Sequence, residues 1–338
     1  MAQTLPRTAE DRVDWKASAP FLGVQLLPLL AVFTGVHTRD LVLAAVLYWA
    51  RMFAITAGYH RYFAHRSYRL ARVPQFLLAF AGTTAAQKGP LWWAANHREH
   101  HKYTDTERDP HTPLKGFWWS HIGWVLSGRY SKVAPDAIPD FACYPELRFL
   151  DKHDWIGPWS LGLASFLVGG WSGLVIGFFG STVLLWHCTF SVNSWAHIIG
   201  RRRYGTDDTS GNSLVIALLT MGEGWHNNHH HYPASARQGF FWWEVDPTYS
   251  VLRVLSWFGI VRELRSPPKK AKTARRLRSG HLDIGTLRVH LARAAATVPS
   301  HLSNVSEERI RQLKVAIGEL STQAQRLGRS ARQVDAAG

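Results

Sequence analysis

Three histidine clusters decide what this chain can fold around. His60-Arg61-Tyr62-Phe63-Ala64-His65, His97-Arg98-Glu99-His100-His101 and His226-Asn227-Asn228-His229-His230 supply eight imidazoles between them. Imidazole is the commonest metal ligand at neutral pH. The two cysteines, Cys143 and Cys188, stand in no ligand-like spacing, so the histidines are the available donor set. On a helix, residues three and four apart share a face. His97, His100 and His101 therefore lie in one arc, and His226, His229 and His230 repeat the arrangement. His60 and His65 are five apart, which on a regular helix turns them away from each other. They reach one site only where a helix ends or bends. His231 breaks the spacing and reads as a neighbour of solvent or lipid headgroups. Asn193 and His197, four apart, either face the same site or form a buried helix end satisfied by backbone.

The clusters lie between apolar runs, and a helical crossing needs roughly 20 predominantly apolar residues. Residues 17–38 carry no charge, and the run 40–60 has Arg51 within it. Residues 155–200 hold no Asp, Glu, Lys or Arg in 46 positions, enough to cross twice with Gly169-Gly170 as the hairpin. The expectation is an all-α integral membrane protein, multi-pass, with transmembrane helices at about 17–38, 40–60, 155–174 and 175–195. These four crossings put both termini and every histidine motif on one side, in a helical cap. Lys and Arg crowd that side, which the positive-inside rule makes cytoplasmic. Arg51 is costly at mid-membrane and should face the bundle or snorkel. Residues 73–87 are uncharged but short, and are expected to lie on or dip into the bilayer. Residues 1–16 mix both charges without the apolar run of a signal peptide. From 17 to 265 the chain reads as one membrane domain. Residues 266–338 read as a basic tail, with fourteen Lys and Arg against five Asp and Glu, so it holds +9 of the formal +15. The tail is either solvated or drawn to anionic headgroups, with an amphipathic helical stretch expected at 306–332. No nucleic-acid-binding motif accompanies it.

The motifs resemble those of membrane fatty acyl-CoA desaturases of the stearoyl-CoA Δ9 type. The resemblance runs from about residue 58 to 243 and rests on four segments. They are Gly58-Tyr59-His60-Arg61-Tyr62-Phe63-Ala64-His65-Arg66-Ser67-Tyr68, the stretch from His97 to Asp109-Pro110-His111, Asn193-Ser194-Trp195-Ala196-His197, and Gly222-Glu223-Gly224-Trp225-His226-Asn227-Asn228-His229-His230. The run Gln238-Gly239-Phe240-Phe241-Trp242-Trp243-Glu244 is nearer the bacterial branch, which implies a bacterial inner membrane. The resemblance implies a di-iron centre in a cytosolic cap, with His60, His65, His97, His100, His101, His197, His226, His229 and His230 as ligands and Asn193 acting through a water. It also implies O2 as co-substrate and a cis double bond, at Δ9, in a saturated acyl chain carried as a thioester such as acyl-CoA.

Ligand imidazoles ordinarily give their second N–H to a carboxylate or carbonyl, and Glu223 and Asp109 are the first candidates. His111, His121, His153 and His187 have no partner at ligand spacing and read as structural. Trp92 and Trp93 either line an acyl channel or anchor the chain at the membrane interface. Arg61 and Arg66 either meet substrate phosphates or neutralise nearby acids. No haem-binding or iron–sulfur pattern is visible, so electrons are expected from a separate ferredoxin or cytochrome with its reductase. A membrane di-iron hydroxylase of alkanes or sterols would use similar clusters and is the main competitor. A metal transporter would want its ligands at mid-bilayer, whereas nearly all these histidines fall outside the apolar runs.

Overall fold

The computed structural model describes residues 5–132 and 137–277. Among them the protein is helical, with isolated β-bridges and no strand. The elements that position the site are α1 (Trp15–Thr34), α2 (Thr38–Ala64), α3 (Arg72–Thr83), α4 (Pro90–Tyr103), α5 (Pro145–Lys152), α6 (Ile156–His197), α7 (Leu214–Leu219), α8 (His226–His231), α9 (Pro247–Trp257) and α10 (Lys269–Thr273). Three of these, α1, α2 and α6, are long and apolar enough to cross a membrane. The short uncharged run that begins at residue 73 forms α3, which is outside that set and keeps Val73 and Leu77 exposed.

Helix α2 changes pitch along its length. Its first turn is closed by Asp40, which accepts the His37 backbone N–H at 3.1 Å. From Ala54 to Ala64 the backbone widens into a π-helix in which every residue is buried. Hydrogen bonds then run i→i+5, so residues five apart come onto one face. The His65 N–H donates to the His60 carbonyl at 3.1 Å. Helix α3 lies close against this segment because Gly82 leaves room: a Cβ there would stand 2.1 Å from the Tyr59 ring.

Helix α6 reverses direction within its 42 residues. Gly170 has φ +62°, in the left-handed region that glycine enters without a Cβ penalty. The two arms fold back on each other, so that a methyl group on Gly162 would lie 3.5 Å from the Phe178 ring. Arg51 of α2 meets the returning arm. Its guanidinium donates to Thr182 Oγ1 at 2.6 Å and Ser181 Oγ at 2.5 Å, and it is buried. The cation faces the bundle and is solvated by hydroxyls rather than by a carboxylate.

Composition sets a boundary at residue 266 that packing does not respect, and the position of the tail is corrected accordingly. The Arg265 N–H donates to the Ser67 carbonyl at 3.0 Å, Ala271 is buried, and the Leu277 N–H donates to the Arg203 carbonyl at 2.9 Å. Residues 266–277 belong to the folded domain, whereas the expected helix at 306–332 lies outside the described residues.

Replacing Thr182 by Val leaves a guanidinium N–H buried without an acceptor. The expected loss is about 1.5–3 kcal/mol, the usual range for hydrogen bonds to charged groups. It is measured as a lowered unfolding midpoint in detergent against Thr182→Ser, which should stay near wild type.

Candidate metal centre

All nine histidines singled out in the sequence converge. His60 and His65 come from the π-helical end of α2, His97, His100 and His101 from one face of α4, His197 from the end of α6, and His226, His229 and His230 from α8. Five of them, His60, His65, His97, His101 and His229, place a ring nitrogen within 4.8 Å of one another. His100, His101 and His230 make a second group, and His197, His226 and His230 a third. The Nε2 atoms meet in pairs: His65 with His97 and His101 with His229 at 2.9 Å, His60 with His229 and His197 with His226 at 3.1 Å, and His100 with His230 at 3.3 Å.

The opposite ring nitrogens are tied down. His60 Nδ1 contacts Glu223 Oε2, His100 Nδ1 lies 2.9 Å from Asp109 Oδ1, His230 Nδ1 2.9 Å from Asp208 Oδ2, and His197 Nδ1 2.9 Å from Thr209 Oγ1. A carboxylate only accepts, so the Nδ1 atoms of His60, His100 and His230 carry the proton and their Nε2 atoms face the centre; the Thr209 hydroxyl can serve His197 in either role. His100 and His230 then aim two lone pairs at each other across 3.3 Å. A proton on His230 or a metal ion beside the pair relieves that repulsion, and a convergent set of buried and half-buried imidazoles fits a metal.

Burial and neighbouring imidazoles push His65, His97, His100, His101, His226 and His229 well below the ordinary histidine range, into the neutral form a metal ligand requires. His230 differs: burial disfavours its cation, but Asp208 outweighs this and raises it. Burial alone would raise Asp208 and Glu223. Contacts with His230 and Ser210 win at Asp208, and His60 with Arg61 wins at Glu223, so both carboxylates are held low.

The sequence picked Glu223 and Asp109 but passed over Asp208 and Thr209, which sit in the 205–212 loop without any recognisable pattern. Asp105 also joins this ring, accepting the Thr209 N–H at 2.7 Å. The arginine reading is corrected in part. Arg61 is buried, donating to Glu223 at 3.0 Å, Asp246 at 2.9 Å and the Ala236 carbonyl at 2.8 Å, so it neutralises acids and does not face substrate. Arg66 is exposed beside Asp140. His231 is half-buried on the wall of a polar cleft, as a solvent neighbour would be, but it is also held there, bonding the Ala271 carbonyl at 2.8 Å and stacking on Tyr204 with ring centroids 4.0 Å apart.

A narrow cavity reaches the centre from its apolar side. Ile55, Trp92, Trp93, Trp124, Phe190 and Val192 form walls, and His60, His97, His226, Asn193 and Glu223 also border it. His111, read from the sequence as structural, lines the same cavity and lies 4.1 Å, centroid to centroid, from His100. Its position two residues after Asp109 was the available signal. Gln87 spans the cavity wall, donating to Thr189 Oγ1 at 2.9 Å and accepting from Trp93 Nε1 at 3.3 Å.

Residues 40–279 match the fatty acid desaturase family. The chain is 38% identical over 270 residues to the sn-1 stearoyl-lipid 9-desaturase of Anabaena variabilis, covering 79% of this chain and 99% of that one. It is 36% identical over 276 residues to the sn-1 stearoyl-lipid 9-desaturase of Synechocystis sp., covering 80% and 87%. It is also 36% identical over 248 residues to the acyl-CoA C20 Delta5-desaturase of Anemone leveillei, covering 72% and 80%. With the histidine geometry and the apolar cavity already in place, these matches mean that the chain belongs to the fatty acid desaturase family.

Proposed function

We propose that this enzyme introduces a cis double bond at Δ9 of a saturated acyl chain, with O2 as co-substrate and two iron ions held by the nine histidines. The observation that carries this reading is the inward convergence of nine imidazoles at the end of an apolar cavity. His60, His65, His97, His101 and His229 would hold one ion, and His100, His197, His226 and His230 the other, with Asn193 acting through a water. Glu223, Asp109 and Asp208 would fix the ring angles. When bound, iron supplies the oxidising power that removes hydrogen from two adjacent methylenes. The balance is one saturated chain, one O2, two electrons and two protons giving one alkene and two waters.

The protein's part is placement. The tryptophan walls keep water from the chain, and the Gln87 bridge between Trp93 and Thr189 fixes the cavity's course past His60 and His97, where small displacements are expensive. The hairpin at Gly170 makes two crossings of α6, giving four in all, with the histidines on the cytoplasmic side of a bacterial inner membrane. Electrons come from a separate donor. Two readings of the acyl carrier are supported: a glycerolipid ester by the lipid-acting relatives, and a coenzyme A thioester by the acyl-CoA relative. Expression in a desaturase-deficient host, with a labelled saturated acid, separates them by which pool is unsaturated first. A product lighter by two mass units supports desaturation; one heavier by sixteen would make the protein a hydroxylase.

His229→Ala and His100→Ala are expected to lose iron and desaturation while remaining in the membrane. Asp208→Asn keeps the ligand but not its orienting charge, and is expected to cost about 10–100-fold in metal affinity or rate. Iron per chain and product yield measure both. Gln87→Ala should leave iron content unchanged and spread the double bond over neighbouring positions, read by mass spectrometry of derivatised products.

A further inference from the structure

The imidazole cluster has a second opening that shares no lining residue with the apolar cavity. His101 and His230 line it, together with Lys102, Tyr103, Asp208 and Arg275. The cleft is polar, and it brings solvent within one side chain of both imidazole groups that His101 joins.

Its surroundings are strongly basic. Residues 269–276 read Lys-Lys-Ala-Lys-Thr-Ala-Arg-Arg, five cations without an acid. This segment is fixed beside the cleft: the Ala271 carbonyl accepts from His231 at 2.8 Å, the Lys272 carbonyl from Tyr204 at 3.2 Å, and the Arg275 carbonyl from the Gly205 N–H at 2.8 Å. Arg203, Lys272 and Arg276 all stand within 6 Å of the Phe241 ring. Lys102, Lys269, Lys270, Arg275 and Arg276 are exposed; the exposed acids nearby in sequence are Glu107, Glu263, which pairs with Arg69, and Asp207, 3.8 Å from Arg275.

The same surface is poor in membrane anchors. Among the described residues of 100–117, 200–213 and 262–277, Leu277 is the one large exposed apolar side chain, whereas such side chains crowd α7 and α9. A basic collar with so few apolar anchors suits a soluble acidic protein better than a bilayer.

We propose that this cleft is the docking surface for the electron donor, an acidic one-electron carrier protein, and that His101 and His230 are the side chains through which electrons reach the centre. The inference rests on the desaturase reading, since that reaction consumes two electrons from outside the chain. Each carrier is oxidised by one electron, so two dock in succession per double bond formed. Charge complementarity of this kind accelerates encounter and is screened by salt. The footprint of such complexes is small, under about 1,200 Å², which a collar around one cleft can supply.

The test uses the full chain in nanodiscs, loaded with iron, and two acidic probes: a plant-type [2Fe–2S] ferredoxin and a b-type cytochrome. The variant Lys269→Glu/Lys270→Glu is compared with Arg148→Glu/Lys152→Glu, a reversal of the same size on α5, and Arg275→Glu is added to the collar variant in a third protein. A milder Lys269→Gln/Lys270→Gln/Arg275→Gln form guards against misfolding, as do iron content and unfolding midpoint. The collar reversal is expected to weaken binding of at least one carrier by about tenfold or more at low ionic strength, flatten its salt dependence and slow anaerobic reoxidation of the carrier. Turnover with dithionite should be unchanged, and the α5 variant should match wild type. Wild type that binds neither carrier, or a collar reversal that leaves binding and reoxidation intact, overturns the proposal while dithionite-driven alkene formation still upholds the desaturase reading. A reversal that releases the protein from anionic vesicles without touching carrier binding overturns it in favour of lipid headgroups. Absence of alkene from wild type with every reductant is failure of the desaturase reading, and the docking proposal falls with it.

Discussion

Lone pairs that converge repel, and the cap of this protein is organised around nine imidazoles turned toward one another. Five of these histidines (His60, His100, His197, His226 and His229) are buried and the other four half-buried. The rings are held from behind by acceptors: Glu223 behind His60, Asp109 behind His100, Asp208 behind His230, Thr209 behind His197. Those acceptors are held in turn. Arg61 grips Glu223 and Asp246 together, and Asp109 takes the backbone N–H groups of Asp105 and His111 at 3.0 and 3.1 Å. A charged hydrogen bond of this type contributes about 1.5–3 kcal/mol, so several together can hold rings that would otherwise splay apart. The consequence is a cluster of nine imidazoles drawn from four separate stretches of chain and braced from behind.

The two openings onto this centre have opposite characters. One is walled by tryptophan and aliphatic groups, the other by lysine, threonine and aspartate. A reaction that joins an oily substrate to a charged supply of electrons benefits from that separation, because neither partner crosses the other's path.

Much of the centre was legible in the sequence because metal ligation forces spacing. Three and four apart on one helix is a geometric demand, and α4 and α8 meet it directly. The five-residue spacing of His60 and His65 was harder. Periodicity alone offers a helix end or a bend; the helix does end at His65, and the turn before it is also π-helical, a hydrogen-bond shift that leaves no compositional mark. Asp208 and Thr209 were invisible for a related reason: a loop residue that meets a ring from behind has no period to obey. Arg61 stood next to a ligand and could equally have faced outward, since sequence neighbours on a helix point in different directions. Residues 266–277 looked like tail because they are basic, although their packing is made by Ala271 and by main-chain bonds that charge counting cannot register.

Helix α2 is 27 residues long, about 40 Å at the usual rise, whereas a hydrocarbon core is about 30 Å thick. Its surplus is the π-helical end that carries His60 and His65. Under the proposed function, a centre mounted there would stand off the oil by a fixed amount, and an acyl chain would be drawn out of one apolar phase into another. Hydrophobicity barely distinguishes those two phases and gives little preference for one methylene over the next. Selection among carbons then falls to mechanical registration: the depth at which α2 sits serves as the zero mark from which the cavity counts along the chain.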